Sequence, residues 1–345
     1  MIDIKQLSAD QILDFKTPEQ LFSKENIDHE WKILRSLWHP DKNKQLDAEQ
    51  VFTHIKKLLK QANLAISTNT WKGAANIEII SSDGAKFIIK YKKMHIFELG
   101  MMYIGITKIC FVLKPEYEKL FDNGIRTIQN QIKYPAQKFK DEFERYMPKV
   151  VKVLKNTNVG HVLVLEKTSD LVLLQDLLDY TGGQLTSRHT AWIISSLCNI
   201  LCFFELNKIV HLGLSSNSLF ISPKHHSVCV YGGWWYAKEN DSKMLAIPST
   251  LATILPSNIF VDKLAKFKYD RQLVKAIGLL SLGDKMMTGS SLLKNPDIPK
   301  PMLDFFRSQS NITSFEMYEH WSKVLDASFG KRTFVNLDVD INKIY

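Results

Sequence analysis

The chain has only four cysteines in 345 residues (Cys110, Cys198, Cys202 and Cys229), and none stands in a Cys-x-x-Cys pair. That scarcity excludes a disulfide framework, a dithiol redox motif and a zinc knuckle, and it points to a reducing compartment. Glycine (15) and proline (11) are too few for a collagenous or low-complexity chain. Uninterrupted apolar runs are also missing. His95–Leu113 is broken by Glu98 and Lys108, and Trp192–Val210 by Ser195, Ser196, Asn199, Glu205 and Lys208. A membrane-spanning helix needs about 20 predominantly apolar residues. The opening MIDIKQLSADQ has no apolar core of the secretory type. The expectation is a soluble, cytoplasmic protein with no membrane contact.

Hydrophobic residues make up 45% of the chain and charged residues 23%. That balance excludes a mostly disordered chain and leaves room for about two domains, each with its own core. The net charge of +9 is unevenly spread. Residues 1–66 carry 10 basic and 10 acidic side chains, residues 67–155 carry 16 and 9, and residues 156–345 carry 19 and 17. The surplus therefore sits in the middle, around Lys90-Tyr91-Lys92-Lys93 and Gln137–Lys155. These lysines lack the strand-and-loop spacing of a phosphate site. They read as a surface for an acidic partner, with nucleic acid the less favoured choice.

Ile27, Trp31, Leu34 and Trp38 follow the +4, +3, +4 spacing of one buried helical stripe, with Lys32 and Arg35 on the opposite face. Pro40 must end that helix, because it pushes His39 out of the helical region. Val51, Ile55, Leu58, Ala62 and Ala65 make a second stripe. Upstream, Thr17-Pro18-Glu19 reads as a cap and first-turn proline opening a short helix. Two such amphipathic helices bury their stripes against each other as an antiparallel hairpin. The connecting loop reads His39-Pro40-Asp41-Lys42-Asn43. His-Pro-Asp between two helices resembles the signature of J-domains, the co-chaperone modules of DnaK-type heat-shock ATPases, over roughly residues 8–66. The resemblance implies that His39, Pro40 and Asp41, with Lys32 and Arg35, dock on the chaperone and stimulate its ATP hydrolysis. No Gly/Phe-rich linker and no cysteine-rich repeat follows.

Residues 67–83 are polar and read as a linker. From Gly84 the period moves toward two, and Lys86–Tyr91, Ile104–Leu113 and His161–Leu165 are runs of strand type. Gln137–Lys155 reads as a helix between them. Beyond Leu171 helices dominate: Leu171–Tyr180, Arg188–Asn207 and Lys268–Met287, with further helices to about Leu325. Phe329-Gly330 reads as a helix stop. The expected class is α+β and multidomain. The expected parts are an all-α helical hairpin over 1–66, a linker over 67–83, a small strand-rich lobe over 84–170 and a helical lobe over 171–345.

Two passages give the second module a resemblance. His211-Leu212-Gly213-Leu214-Ser215-Ser216-Asn217-Ser218-Leu219-Phe220-Ile221 is followed by Val228-Cys229-Val230-Tyr231-Gly232-Gly233. Together they resemble the catalytic-loop and magnesium-loop motifs of protein kinases, a two-lobed fold. Leu255-Pro256-Ser257 stands where Ala-Pro-Glu would fall, and Asp270 resembles the buried aspartate that anchors the kinase helical lobe. Phosphoryl transfer needs a base, metal ligands and a nucleotide-gripping lysine. Here the base position is Gly213, the metal-holding asparagine is Ser218 and the metal-holding aspartate is Tyr231. Neither Gly-x-Gly-x-x-Gly nor Val-Ala-Ile-Lys occurs. The resemblance thus implies a pseudokinase with no cofactor and no metal. The alternative is a divergent active kinase or nucleotidyl transferase that recruits other carboxylates, for instance Glu142, Glu144, Asp170 or Asp179.

Trp234-Trp235-Tyr236, straight after two glycines, is a candidate partner surface if exposed and a space-filling cluster if buried. His225 and His226 are adjacent and read as exposed loop histidines, since adjacent residues seldom face one ion. The pairing of the two modules is similar to proteins of large bacteriophages, which implies the host cytoplasm as its place. The function implied is an adaptor: a DnaK-type chaperone is recruited by the first module, and a client or acidic protein partner is held by the second.

Overall fold

Apolar residues three and four apart over residues 27–38 and 48–67 form one stripe per helix, and each stripe needs a partner to leave water. A computed structural model describes the chain apart from residues 1–3, 5, 6, 16, 25, 44, 46, 69, 70, 72–74, 256–258, 310, 332 and 334. Helices α1 (Ala9–Asp14), α2 (Pro18–Leu21), α3 (Ile27–Trp38) and α4 (Ala48–Ser67) share one core. Ile27, Leu34 and Trp38 of α3 pack with Val51, Ile55, Leu58 and Ala62 of α4, and Ile12 and Leu21 close the end of that core. No side chain caps α3 at Asn26. Instead the Glu30 carboxylate reaches back, accepting from the Ser23 N–H and hydroxyl, both at 2.6 Å.

The chain divides into two compact units, residues 1–112 with 152–164 and 345, and residues 113–151 with 165–344. Helices and sheets are largely segregated, as in an α+β protein. In the first unit, β1 (Ala75–Ile80) and β2 (Lys86–Tyr91) form an antiparallel hairpin, with Ile79 opposite Phe87 and Ile77 opposite Ile89. A five-stranded sheet is built from β3 (Lys93–Phe97), β4 (Gly100–Ile104), β5 (Lys108–Leu113), β6 (Lys149–Thr157) and β7 (Gly160–Glu166), in the order β3-β4-β5-β7-β6. Ile79 of the hairpin is buried with Tyr103, Cys110, Val112, Val162 and Val164 of the sheet, and Ile77, Phe87 and Ile89 pack at the edge of that cluster. The hairpin thus supplies the sheet with an apolar cover.

Two sequence expectations fail here. Residues 75–80, read as part of a linker, are strand β1, because Ile77 and Ile79 find the sheet face that the local sequence does not display. Gln137–Lys155, read as one helix, is a short helix and then a strand. Lys149, Lys152 and Lys155 mimic a helical face by their spacing of three. The helix stops before Pro148, and the β-branched run Val150-Val151 enters β6.

The second unit contains α5 (Glu118–Arg126), α6 (Gln137–Phe143), α7 (Leu174–Tyr180), α8 (Ser187–Leu206), α9 (Ser249–Ile254), α10 (Ile259–Asp262), α11 (Phe267–Ser281), α12 (Lys300–Arg307) and α13 (Ser314–Phe329). Two small strand groups interrupt them. β10 (Leu219–Ser222) pairs with β11 (Ser227–Val230) and β8 (Val172–Leu173), and β9 (Ile209–Val210) pairs with β12 (Lys238–Glu239). Among the described residues α8 is the one helix long and apolar enough to cross a membrane, and 61% of that stretch is buried inside the protein. It is a core helix, apolar nearly all round because α11 and α13 pack on it. Trp321 of α13 donates its indole N–H to the Ser195 hydroxyl on α8 at 2.9 Å. α11 ends at Ser281, ahead of Gly283 at φ +96°, and α13 stops at Gly330 as expected.

Candidate functional site

Two loops carry the residues singled out in the sequence, one in each unit. At the end of α3, Pro40 holds His39 in an extended conformation (φ −64°, ψ 128°), so the helix stops there. The His39 carbonyl accepts from the N–H of Lys42 (2.9 Å) and of Asn43 (2.8 Å), closing the turn. Asn43 clamps both sides: its amide donates to the Leu37 carbonyl at 3.0 Å, and its Oδ1 accepts from the Gln45 N–H at 3.0 Å. The His39 ring leans on Phe52 of α4 at 5.0 Å between centroids, and Phe52 in turn stacks on Trp31 at 5.8 Å.

His39 Nδ1 accepts from the Asp41 N–H at 3.2 Å. In that tautomer the Asp41 carboxylate, 3.5 Å from the same nitrogen, is a neighbour and not its hydrogen-bond partner. It points outward instead, its side chain 86% exposed against 30% for His39. Lys32 and Arg35 are both exposed, one turn apart on α3. A braced loop presenting one carboxylate beside two cations is suited to recognising a charged partner, with steering that weakens in salt.

In the second unit the loop before β10 is organised by Asp270 near the start of α11. Its carboxylate accepts from the N–H of His211 (2.6 Å) and of Leu212 (2.7 Å), and it is 2% exposed. Burial pushes this carboxyl up to about 7, and the two N–H donors and the nearby Arg271 only partly offset that. His211 is buried between the ring of Phe204 (5.7 Å, parallel) and the edge of Trp234 (4.6 Å). Burial lowers its imidazole to about 3, so it stays neutral. Its Nδ1 accepts from the Gly213 N–H at 3.2 Å.

Gly213 presses on Gly233. A Cβ at Gly213 would lie 2.6 Å from the Gly233 carbonyl oxygen, and one at Gly233 would lie 2.8 Å from Cε1 of His211. The Ser218 hydroxyl is used inside the loop, accepting from the Ser215 N–H at 2.8 Å and donating to the Ser215 carbonyl at 3.1 Å. Asn217, its neighbour in the chain, is exposed. Tyr231 is buried beside Phe220, and burial drives its phenol far above the ordinary range. It remains protonated and is no ligand for a hard cation.

The aromatic cluster Trp234, Trp235 and Tyr236 is 0%, 2% and 5% exposed, so the expectation of a partner surface there is corrected. Trp234 donates its indole N–H to the Val230 carbonyl at 2.9 Å. Trp235 packs on Gly124 of α5, where Asn123 donates to the carbonyls of Trp235 (3.0 Å) and Ala237 (2.8 Å). Sequence reasoning missed Asn123, which stands 112 residues from Trp235 along the chain. His226 is also not an exposed loop histidine. It is half-buried, with its ring parallel to Trp192 at 4.9 Å. Leu255 is buried, while Pro256 and Ser257 of the Leu-Pro-Ser motif lie outside the described residues. Among the described residues, no group of three or more His, Cys, Asp or Glu side chains is arranged to hold a metal ion. No family model matches this chain, and no curated protein matches it.

Proposed function

We propose that this protein is a J-domain-type co-chaperone whose first helices recruit and stimulate a DnaK-type ATPase, and whose second unit is a kinase-like, non-catalytic module that holds a client. The observation that carries the reading is the His39-Pro40-Asp41 turn. It is held rigid by Asn43 and Phe52, with the Asp41 carboxylate turned to solvent and Lys32 and Arg35 exposed on the helix that leads into it. Rigid, complementary charge is what a transient docking surface needs.

The kinase-like part of the reading is supported by Asp270 gripping the His211 and Leu212 amides. Its non-catalytic part is supported by the filled space at Gly213 and by the neutral, buried Tyr231. The turns joining β3 to β4 (residues 98–99) and β4 to β5 (residues 105–107) are shorter than a six-residue glycine-rich cover over phosphates.

The test is single-turnover ATP hydrolysis by a purified DnaK-type chaperone with the full chain added. Stimulation at least tenfold, lost in His39→Gln and weakened in Lys32→Glu/Arg35→Glu, is expected. No stimulation, or stimulation indifferent to His39→Gln, refutes the co-chaperone reading. Radiolabel transfer from Mg-ATP by the same preparation refutes the non-catalytic reading of the second unit.

A further inference from the structure

Within the second unit, α8, α13 and the β10–β11 turn surround a cavity of about 360 Å³, inside the ~300–1,000 Å³ range of small-molecule sites. Ala191 on α8 and Leu325 and Phe329 on α13 give it apolar walls. One side carries the Trp192 and His226 rings, stacked on one another with centroids 4.9 Å apart and planes within 7° of parallel. The polar side chains on its lining are Arg188, Trp192, Ser195, His226 and Thr333. The Trp192 indole N–H is buried and meets no acceptor. Arg188 is exposed, lies with its guanidinium 5.0 Å from the Phe329 ring centre, and gives one N–H to the Thr333 hydroxyl at 3.1 Å. A guanidinium has five N–H donors in a planar fork suited to a carboxylate. Among the described lining residues there is no Asp or Glu to neutralise it. Burial, aided by the nearby His189, holds the His226 imidazole below its ordinary value, so it presents a neutral face at pH 7.

From the apolar and aromatic walls and the Arg188 guanidinium, which no acidic side chain among the described lining residues answers, we infer that this cavity binds a small aromatic carboxylate, its ring against those walls and its carboxylate on Arg188. A planar ring can lie along the aromatic walls, and a carboxylate gives the guanidinium the anionic partner that the described lining residues do not supply. The site is separate from the His39–Asp41 turn, so its occupancy can be tested independently of chaperone stimulation.

The probe is 2-naphthoate, titrated calorimetrically into the full-length chain, with neutral 2-naphthamide as the matched comparison. One saturable site is expected, with the amide at least tenfold weaker. Arg188→Met keeps much of the side chain's apolar length while removing the charge, and it should weaken 2-naphthoate at least tenfold. Ala191→Phe fills the cavity and should abolish binding, with circular dichroism reporting whether each variant is folded. Absence of saturation overturns the inference. So does equal binding of acid and amide, or binding unchanged in Arg188→Met. If Ala191→Phe does not fold, Arg188→Met and the amide comparison still decide the outcome.

Discussion

Adding one methyl group at Gly213 should destabilise the second unit through steric contact and not through backbone preference. Gly213 does not have a positive φ, so Gly213→Ala pays no left-handed penalty. Its cost is contact alone. The new Cβ would sit 2.6 Å from the Gly233 carbonyl oxygen and 2.8 Å from the Gly233 Cα, both backbone atoms that cannot rotate aside. Retreat is blocked on the far side as well. Gly233 is at φ +83° and leads into Trp234, which is fully buried, bonded to the Val230 carbonyl and packed on His211.

Overpacking of this kind costs about 1–3 kcal/mol, and the upper end applies where backbone must move. With a urea slope of about 2–3 kcal/mol per molar, the midpoint should fall by about 1 M. The assay is urea unfolding followed by near-ultraviolet circular dichroism of the tryptophans. Gly84→Ala is the control: at φ +82°, with no atom within 4 Å of the added Cβ, it should cost only the left-handed penalty of about 1–2 kcal/mol. Gly213→Asp, which places there the residue type that protein kinases use as a base, should be at least as destabilising and should not create phosphoryl transfer. A native-like Gly213→Ala with an unchanged midpoint would refute the claim that this space is filled.

Two further outcomes follow from buried polar groups. Asn123→Ala removes both side-chain donors to the Trp235 and Ala237 carbonyls, at about 2–4 kcal/mol. Calorimetry should record a drop in Tm of roughly 5–10 °C, and a drop below one degree would contradict the assignment. Asp270 has its folded-state pKa raised to about 7 from an ordinary 3.8, so between about pH 4 and pH 7 the folded state binds more protons at this site than the unfolded one. Its contribution is therefore full below about pH 4 and lost as pH rises through about 7, opposite to an ordinary ion-paired carboxylate. Stability measured from pH 4 to pH 7 should fall in the wild type relative to Asp270→Asn. Parallel curves would show that Asp270 is ionised throughout.

What could be read from residues alone was whatever has a local period or a local break. The stripe Ile27, Trp31, Leu34, Trp38 and the stop at Pro40 anticipate α3 and the turn after it, because a helix is closed by bonds four residues away. The all-round apolar character of α8 likewise anticipates a core helix. Strand β1 was hidden because Ile77 and Ile79 become meaningful only opposite Ile89 and Phe87 and beneath them Tyr103 and Val112. Strand β6 was hidden because three lysines three apart imitate a helical face.

The same division runs through the functional residues. The sequence by itself determined which side chains are missing: a glycine at 213 and a phenol at 231 carry no base and no carboxylate, whatever surrounds them. Only the tertiary structure decided that Gly213 and Gly233 touch, that Trp234, Trp235 and Tyr236 turn inward, and that Arg188 and Trp192 border one cavity. The physical reason is one of range. Chain neighbours set a residue's periodicity and its backbone freedom, whereas the space and the partners left to its side chain are set by atoms that packing brings in from distant parts of the sequence.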